Sequence, residues 1–324
     1  MLRVDRFLWA ACQLDVLETC LNYHTLQIAL ASLPKTLDEI YASIWRGIPF
    51  EHKQIATRIL QFLAFSERPL TIEEAVDAIA VHTEGNKYFK QEDRLPDLRQ
   101  ITRFWTSLVV VAPSRDDDEH VELQLAHISV KEYLTSDRLD KDMSQNFQEV
   151  TVKASMAKVC LAYLLSLPSG LSDREIRQRF PFSQYSAMYW MAYATVAEGT
   201  DATLQDLIRE FFCNQWACRN CYRLYLPDRS SGDVPEMEEN DPVPVLYYAS
   251  FGGLIDAVNY LLRLGYDVDA RGEYYGFELQ AASVGGHEKV VELLLGKGAD
   301  VNALQAASRE GHEKVAELLG KAES

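Results

Sequence analysis

The sequence GHEKVVELLLGKGADVNALQAASREGHEKVAELL, from Gly286 to Leu319, contains the phrase GHEKV twice at a spacing of 25 residues. Upstream, Ala249-Ser250 matches Ala282-Ser283 at a spacing of 33, whereas Ala282-Ser283 matches Ala307-Ser308 at 25. Alignment explains the difference, because VDA-RGEYYGFE-LQAAS in one unit becomes VNA-LQAAS in the next. The later unit lacks eight residues equivalent to Arg271–Glu278. The pattern predicts stacked units of about 33 residues, of which the last is shortened.

Each unit pairs a short apolar segment with a longer one across a glycine. Gly253, Gly286 and Gly311 stand at the turn, where positive φ is useful, and Gly265 and Gly298 end the longer segment. A short helix, a tight turn, a longer helix and a protruding loop resemble ankyrin repeats, from residue 243 to the end. The resemblance implies a C-terminal α-solenoid of about three repeats, the last lacking its hairpin finger. The Thr-Pro that usually opens the first helix is replaced in both complete units.

Residues 49–140 combine three predicted helices with two predicted strands. The elements are, in chain order, a helix at Phe50–Phe65, a helix from the capping box Thr71–Glu74 to about Val81, a helix through Leu98–Leu108, and strands Leu108–Pro113 and Val121–Ile128. Val121, Leu123 and Leu125 alternate on one face, which predicts that this face points inward. Three helices followed by a β-hairpin are typical of a winged helix.

Residues 141–226 return to a helical period and predict a helical domain whose many large aromatic residues form its core. Pro227 to Pro244 contains four prolines and six acidic residues against one arginine. Such a composition buries little apolar surface, so residues 227–242 are predicted to be a linker. Residues 243–324 are the predicted repeats, and the fold class is mainly α.

Bulk composition excludes several classes of function. The 324 residues carry a net charge of −16, which disfavours nucleic acid as a partner. No apolar run approaches the length of a membrane span, and the N-terminal residues MLRVDRFLWAACQLDVL predict an amphipathic helix, not a signal peptide. A cytoplasmic, reducing location is therefore expected. No cofactor is predicted.

Three cysteines are closely spaced. Cys213, Cys218 and Cys221 form C-x4-C-x2-C, which could begin a zinc site. Tetrahedral zinc needs a fourth ligand, and the neighbouring sequence offers none. These residues are weak metal candidates, and structural cysteines on helices are the favoured interpretation.

Four stretches upstream of the repeats, RFLWAACQLDVLETC, LASLPKTLDEIY, LAFSERPLTIEEAVDAIAV and LAHISVKEYLTS, resemble fungal NACHT–ankyrin proteins of the STAND type. These are vegetative (heterokaryon) incompatibility proteins related to NLR immune receptors. The resemblance implies that residues 1–48 are the helical tail of a NACHT module, followed by a winged helix, a helical domain and sensor repeats.

The phosphate-binding loop of that family, G-x-x-x-x-G-K-[ST], is absent from this sequence. By position in AHISVKEYL, His127 corresponds to the family's winged-helix histidine, which contacts nucleotide phosphates when an NTPase core is present. Strand alternation places His127 on the inward face, so a core histidine with internal partners is the alternative. The missing loop favours that alternative.

The leading hypothesis is a non-catalytic protein-interaction module that forms the sensor or regulatory part of a NACHT–ankyrin switch. Its partner would contact the concave face and fingers of the repeats. The predicted contact residues are Tyr247, Tyr248, Phe251, Tyr274, Tyr275, Phe277 and Gln280. For Tyr247 and Tyr248 the alternative, packing against the preceding helical domain, is equally favoured.

The sequence bears on three other functions. A winged-helix DNA-binding regulator would use Arg94, Arg99 and Arg103, but the acidic wing Asp116–Glu119 would repel phosphates. An enzyme is not expected, because hydrolase, metalloprotease and dinucleotide motifs are absent from the sequence. A nucleotide-dependent switch could still be completed by a NACHT NTPase core in another chain.

Overall fold

The computed structural model describes residues 9, 17, 22–31, 33–85, 88–96, 108–113, 121–228, 243–270, 272, 274–300 and 312–322. The chain forms two compact units that interleave in sequence. The first contains residues 1–79 and 95–152, and the second contains residues 80–94 and 153–324. None of the helices in the described part of the chain is long and apolar enough to cross a membrane.

The first unit is helical with a small antiparallel sheet. Its described helices are α1 (Tyr23–Ala31), α2 (Leu37–Gly47), α3 (Phe50–Phe65), α4 (Ile72–Ala80), α5 (Ile128–Leu134) and α6 (Lys141–Ser144). Its strands are β1 (Leu70–Thr71), β2 (Val109–Pro113) and β3 (Val121–Leu125), in the order β1-β3-β2. The predicted helix at Phe50–Phe65 and the predicted β2 are confirmed. The third predicted helix, through Leu98–Leu108, lies outside the described residues except for its last residue.

The sheet differs from its prediction in two ways. The sequence indicated two strands, whereas the two-residue β1 adds a third by pairing Leu70 with Leu123. The strand β3 ends at Leu125, three residues earlier than predicted. Of the residues predicted to face inward, Leu123 is buried but Val121 is 40% exposed. Leu123 is buried because it is the central residue of the central strand, with neighbours on both sides.

The predicted capping box at the start of α4 is confirmed and extended. Thr71 Oγ1 accepts the amide of Glu74 at 3.2 Å, and Glu74 Oε2 accepts the amide of Thr71 at 2.9 Å. Arg68 then binds both oxygens of Glu74, at 2.7 and 2.6 Å. At the other end of α4, Arg58 donates to the carbonyls of residues 78 and 79. Side chains therefore bind free backbone groups at both ends of this helix.

Ahead of the repeats, the second unit contains five helices, which are called the helical layer below. They are α7 (Glu149–Leu165), α8 (Asp173–Arg179), α9 (Phe182–Ala197), α10 (Ala202–Cys213) and α11 (Gln215–Leu224). The aromatic residues predicted to form a core are buried, with Tyr185, Trp190 and Tyr193 fully enclosed. The hydroxyl groups of Tyr185 and Tyr193 lie 2.7 Å apart, so these buried polar atoms have a partner.

Residues 80–94 leave α4 and pack in the second unit, where they contact the helical layer. Phe89 inserts its ring between Tyr163 and Phe180, with ring centroids 4.7 and 6.3 Å away. The hydroxyl of Tyr88 donates to Glu210 at 2.6 Å. This segment lies between parts of the first unit in the sequence, so its docking was not predictable from local patterns.

The repeats complete the second unit. Their described helices are α12 (Val245–Phe251), α13 (Ile255–Arg263), α14 (Glu278–Val284), α15 (Glu288–Gly296) and α16 (Glu313–Ala322). Gly253 and Gly286 both have φ 71°, and Gly265 and Gly298 have φ 92° and 90°. The predicted positive-φ turns and helix ends are confirmed at these four glycines. Gly311 and the predicted first helix of the third unit lie outside the described residues.

Candidate partner-binding surface

Successive repeats are joined by histidines. His287, just before α15, donates from Nε2 to the carbonyl oxygen of Phe251 in the preceding repeat, at 2.8 Å. His312 makes the equivalent bond to Val284, at 2.7 Å. Burial lowers the pKa of His287, which keeps its ring neutral. A Cβ atom at Gly253 would overlap the ring of His287, so the glycine provides space as well as conformational freedom.

The first repeat has Leu254 at the position equivalent to His287, and this leucine is fully buried. The helical layer supplies the polar contacts instead. Glu198, just after α9, accepts the amides of Asp256 and Ala257 at 3.1 and 3.2 Å through Oε1. These are free N–H groups of the first turn of α13, so Glu198 caps that helix from 58 residues away. Burial raises the pKa of Glu198 to about 7.

The loop between the first two repeats, the finger, is anchored by a buried pair. Asp228 Oδ2 accepts the hydroxyl of Tyr247 at 2.8 Å and the amide of Tyr274 at 3.3 Å. The Tyr247 oxygen in turn accepts the amide of Tyr275 at 3.0 Å. Two finger amides are thereby bound to side chains beneath the loop. Gly272 lies so close to the Tyr247 ring that a Cβ atom would overlap it.

This arrangement corrects the predicted contact surface. Tyr247 and Tyr248 are 0% and 1% exposed, so they cannot touch a partner in this conformation. Tyr248 stacks on Tyr222 of α11 at 3.8 Å between ring centroids. For Tyr248 this contact matches the alternative interpretation, packing against the helical layer, whereas Tyr247 is buried beneath the finger. The predicted linker is also corrected at its start, because Asp228 is only 5% exposed; residues 229–242 lie outside the described part.

The other predicted contact residues lie at or near the surface. Tyr274 is 65% exposed and Phe277 is 40% exposed. Phe251 and Tyr275 are half-buried and stack at 6.0 Å with an interplanar angle of 11°. Gln280, on α14, is half-buried and accepts the amide of Phe277 at 3.3 Å. The finger therefore presents aromatic side chains outward above a bound backbone.

A cavity of about 110 Å³ opens beside these residues. It is lined by Asp269, Phe277, Leu279, Gln280 and Asp300. Asp269 Oδ1 accepts the amide of Asp300 at 2.8 Å, which holds the loops of two successive repeats together. Neither aspartate was predicted from the sequence as a contact residue. The acidic position shared by DVDA and ADVN, Asp267 and Asp300, is the signal that could have found Asp300, whereas Asp269 corresponds to Asn302 and has no repeated signal.

Glu278, the first residue of α14, is 1% exposed, and its Oε2 has no hydrogen-bond partner. Burial raises the pKa of Glu278 to about 7, and Asp267 and Asp269 add to the shift. Burial and two neighbouring acids both disfavour the ionised carboxylate, so Glu278 keeps its proton to a higher pH than an exposed glutamate does.

His127 is not on a strand, which corrects its predicted inward position. It is the N-cap of α5 and half-buried, and its Nδ1 accepts the amide of Ser129 at 3.2 Å. Ser129 Oγ lies 2.7 Å from the same nitrogen and 2.8 Å from the hydroxyl of Tyr41. Because Nδ1 accepts the amide proton, the ring proton of a neutral His127 is on Nε2.

The three spaced cysteines are separated by burial. Cys213 ends α10 and is exposed, whereas Cys218 and Cys221 are buried on α11. The thiol of Cys218 donates to the carbonyl of Phe211 at 3.0 Å, and burial raises the pKa of Cys221 to about 12. Within the described ranges, no group of three metal-ligating side chains is close enough to hold an ion.

The residues predicted for DNA binding are only partly described. Arg94 does not lie on a helix: it follows a short 3-10 turn and donates to the carbonyl of Arg179 at 2.8 Å. Its side chain is therefore engaged in the second unit. Arg99, Arg103 and the acidic wing Asp116–Glu119 lie outside the described residues.

Comparisons with known proteins define the domain types. Residues 46–146 match the winged helix domain of GPI inositol-deacylase, and residues 246–324 match a model of three ankyrin repeats. Both are non-catalytic folds. Protein L of the azaphilone pigments biosynthesis cluster of Monascus ruber is 33% identical over 301 residues. That match covers 88% of this chain but 64% of the relative, so the chain spans less than two thirds of the length of the protein it resembles.

Proposed function

We propose that this protein is a non-catalytic interaction module whose ankyrin finger and concave face bind a protein partner. The observation that carries the proposal is the finger itself. Its backbone is bound to Asp228 and Tyr247, while Tyr274 and Phe277 are exposed. A loop that is already ordered loses little conformational entropy on binding, and exposed aromatic side chains are frequent energetic centres of interfaces.

The module fits the sensor part of a NACHT–ankyrin type switch. Support comes from the order of its parts, a winged helix followed by helices and ankyrin repeats, and from the longer fungal relative. The relative's name places that protein in a pigment biosynthesis cluster. For this chain we propose a regulatory role. In such a switch the Nε2–H of His127 would donate to a nucleotide phosphate held by a separate NTPase core.

The interaction proposal is tested by quantitative affinity capture from the native host with the full chain as bait. The double variant Tyr274→Ala/Phe277→Ala is compared with Phe50→Ala, which removes an aromatic ring that is 89% exposed in the other unit. We expect specific partners to be depleted about tenfold or more with the finger variant and retained with the control. Equal recovery with both variants contradicts a finger-centred interface.

The switch proposal needs a different measurement. Peptide mapping of the endogenous product and of its captured partners should reveal peptides that contain a phosphate-binding loop. His127→Ala should then weaken nucleotide retention by that complex, whereas His82→Ala, which alters a histidine of the second unit, should not. A complex without any NTPase core would remove the role proposed for His127 and leave the interaction module intact.

A further inference from the structure

The cavity between the first and second repeats has a lining suited to one chemical group. Of its five described lining residues, two carry carboxylates, one an amide, one an aromatic ring and one an aliphatic side chain, and none is a lysine or arginine. Its volume of about 110 Å³ is well below the roughly 300–1,000 Å³ of sites for drug-sized ligands. A single side chain is therefore a better match than a cofactor.

The negative charge of the cavity is built into the stacking of the repeats. The bond from the Asp300 amide to Asp269 places carboxylates of successive repeats on the same lining. Carboxylates held close together in a partly enclosed site attract a cation more strongly than the same groups in water.

The aromatic lining makes the site selective for an organic cation. Phe277 forms one wall, and the neighbouring finger residue Tyr274 is the most exposed ring of the repeats. A guanidinium or ammonium group gains energy over an aromatic face and, at the same time, from hydrogen bonds to carboxylates. A bare divalent ion is a poorer fit, because no cluster of three metal-ligating side chains occurs among the residues that the structure describes.

We infer that this cavity binds an arginine or lysine side chain of the partner protein, with Asp269 and Asp300 as its acceptors and Phe277 as its aromatic wall. The inference rests on the proposed function, because it names the chemistry of the partner that the finger binds. The occupant is a basic residue in a segment that lies across the finger and α14. The occupant is identified as a basic side chain because carboxylates of opposite charge line the cavity.

The test uses the full-length chain and a yeast-displayed library of random dodecapeptides as the probe. The best binders are synthesised, and each basic residue is replaced in turn by citrulline or norleucine, which keep the length of arginine or lysine without the charge. The same peptides are titrated against the variant Asp269→Asn/Asp300→Asn. Asparagine at 269 retains an acceptor for the residue 300 amide, so the loop connection is preserved.

The matched control is Glu92→Gln/Asp206→Asn, which removes the same number of charges from side chains that are 78% and 76% exposed. We expect enriched peptides to contain arginine or lysine. Neutralising that residue, or the Asp269/Asp300 pair, should weaken binding about tenfold or more, and the control variant should change it less than about twofold.

Two results would overturn the inference. Binders that require Tyr274 and Phe277 but contain no essential basic residue leave the interaction module standing and remove the basic-residue site. Basic binders that respond equally to both charge-neutralising variants show only general attraction to an acidic protein. A library that gives no binder sensitive to Tyr274→Ala/Phe277→Ala contradicts the proposed function itself.

Discussion

The first repeat has a different neighbour on each of its two sides. On the side of the second repeat, His287 donates to the carbonyl of Phe251, and the same contact recurs one repeat later. On the side of the helical layer, Leu254 replaces the histidine, and Glu198 accepts two amides of α13. In the distal contact, on the side of the second repeat, a ring nitrogen donates to a backbone carbonyl. In the proximal contact, on the side of the helical layer, a carboxylate accepts backbone amides.

The difference shows how the array is capped. A solenoid repeat buries its apolar face only against a neighbour, so the first repeat needs a substitute for the missing one. The helical layer is that substitute, since it supplies Glu198 at the start of α13, where Leu254 is fully buried. A repeat-like histidine would have no preceding repeat carbonyl to reach. The helical layer and the repeats therefore form a single structural unit, and we expect them to unfold together.

The largest effect should come from crowding the distal contact. Gly253→Ala combines an unfavourable left-handed φ with overlap on the His287 ring. Gly265→Ala, the matched control, has the same conformational strain but open space around the added atom. We expect Gly253→Ala to cost about 2–5 kcal/mol and the control about 1–2 kcal/mol, measured by denaturant unfolding. Equal losses would mean that His287 moves aside without cost.

The second largest loss of stability is expected at the proximal contact, between Glu198 and α13. Glu198→Ala leaves two amides of α13 without their acceptor, at an expected cost of about 1–2 kcal/mol. This corresponds to a lowering of Tm by several degrees in thermal unfolding. Glu198→Gln retains a carbonyl acceptor and should not show the loss expected for Glu198→Ala. A Glu198→Ala variant as stable as wild type would contradict the role of the helical layer as a cap.

The two contacts should respond oppositely to pH. The folded-state pKa of Glu198 is raised to about 7, so protonation favours folding; this stability is lost as pH rises through 7. The pKa of His287 is lowered, so its contribution is lost as pH falls below about 6.5. Glu198→Gln should therefore exceed wild type by about 2–4 °C in Tm at pH 8 but not at pH 5.

The complementary variant is His287→Gln, which keeps a donor but does not titrate. Its Tm should fall less than that of the wild type between pH 7 and pH 5. If both variants follow the wild-type profile at all pH values, other groups dominate the pH dependence.

The smallest effect is expected at an exposed ion pair between the second and third repeats. Lys314 lies 3.5 Å from Glu288, and their side chains are 78% and 45% exposed. Lys314→Ala should change the free energy of unfolding by less than about 0.5 kcal/mol. A larger loss would indicate that this pair, and not the His312 contact, holds the third repeat.

Much of the repeat architecture could be predicted from the sequence, because it depends on local rules. Gly253 and Gly286 were expected at turns, and both have φ 71°. The Thr71–Glu74 capping box was likewise recognisable, since its two residues are three positions apart. These features need only the chemistry of residues that are close in sequence.

The features that the sequence did not predict depend on distant partners. Strand β1 has two residues and exists only by pairing with β3. Glu198 caps a helix 58 residues away, and no capping pattern describes that spacing. Tyr248 is aromatic on a short helix, and sequence alone could not decide whether its neighbour is solvent or Tyr222. The acidic cavity arises only when two loops stack.

The substitution of Leu254 for histidine has a consequence for how such a chain can vary. A duplicated unit inserted after the first repeat would meet histidine contacts on both sides. A unit inserted before it would separate Glu198 from the amides of Asp256 and Ala257 and expose Leu254. We therefore expect gene duplication to change the number of repeats only after the first one. In related chains, the repeat next to the helical layer should keep a leucine at the position of Leu254, and the helical layer should keep a glutamate at the position of Glu198.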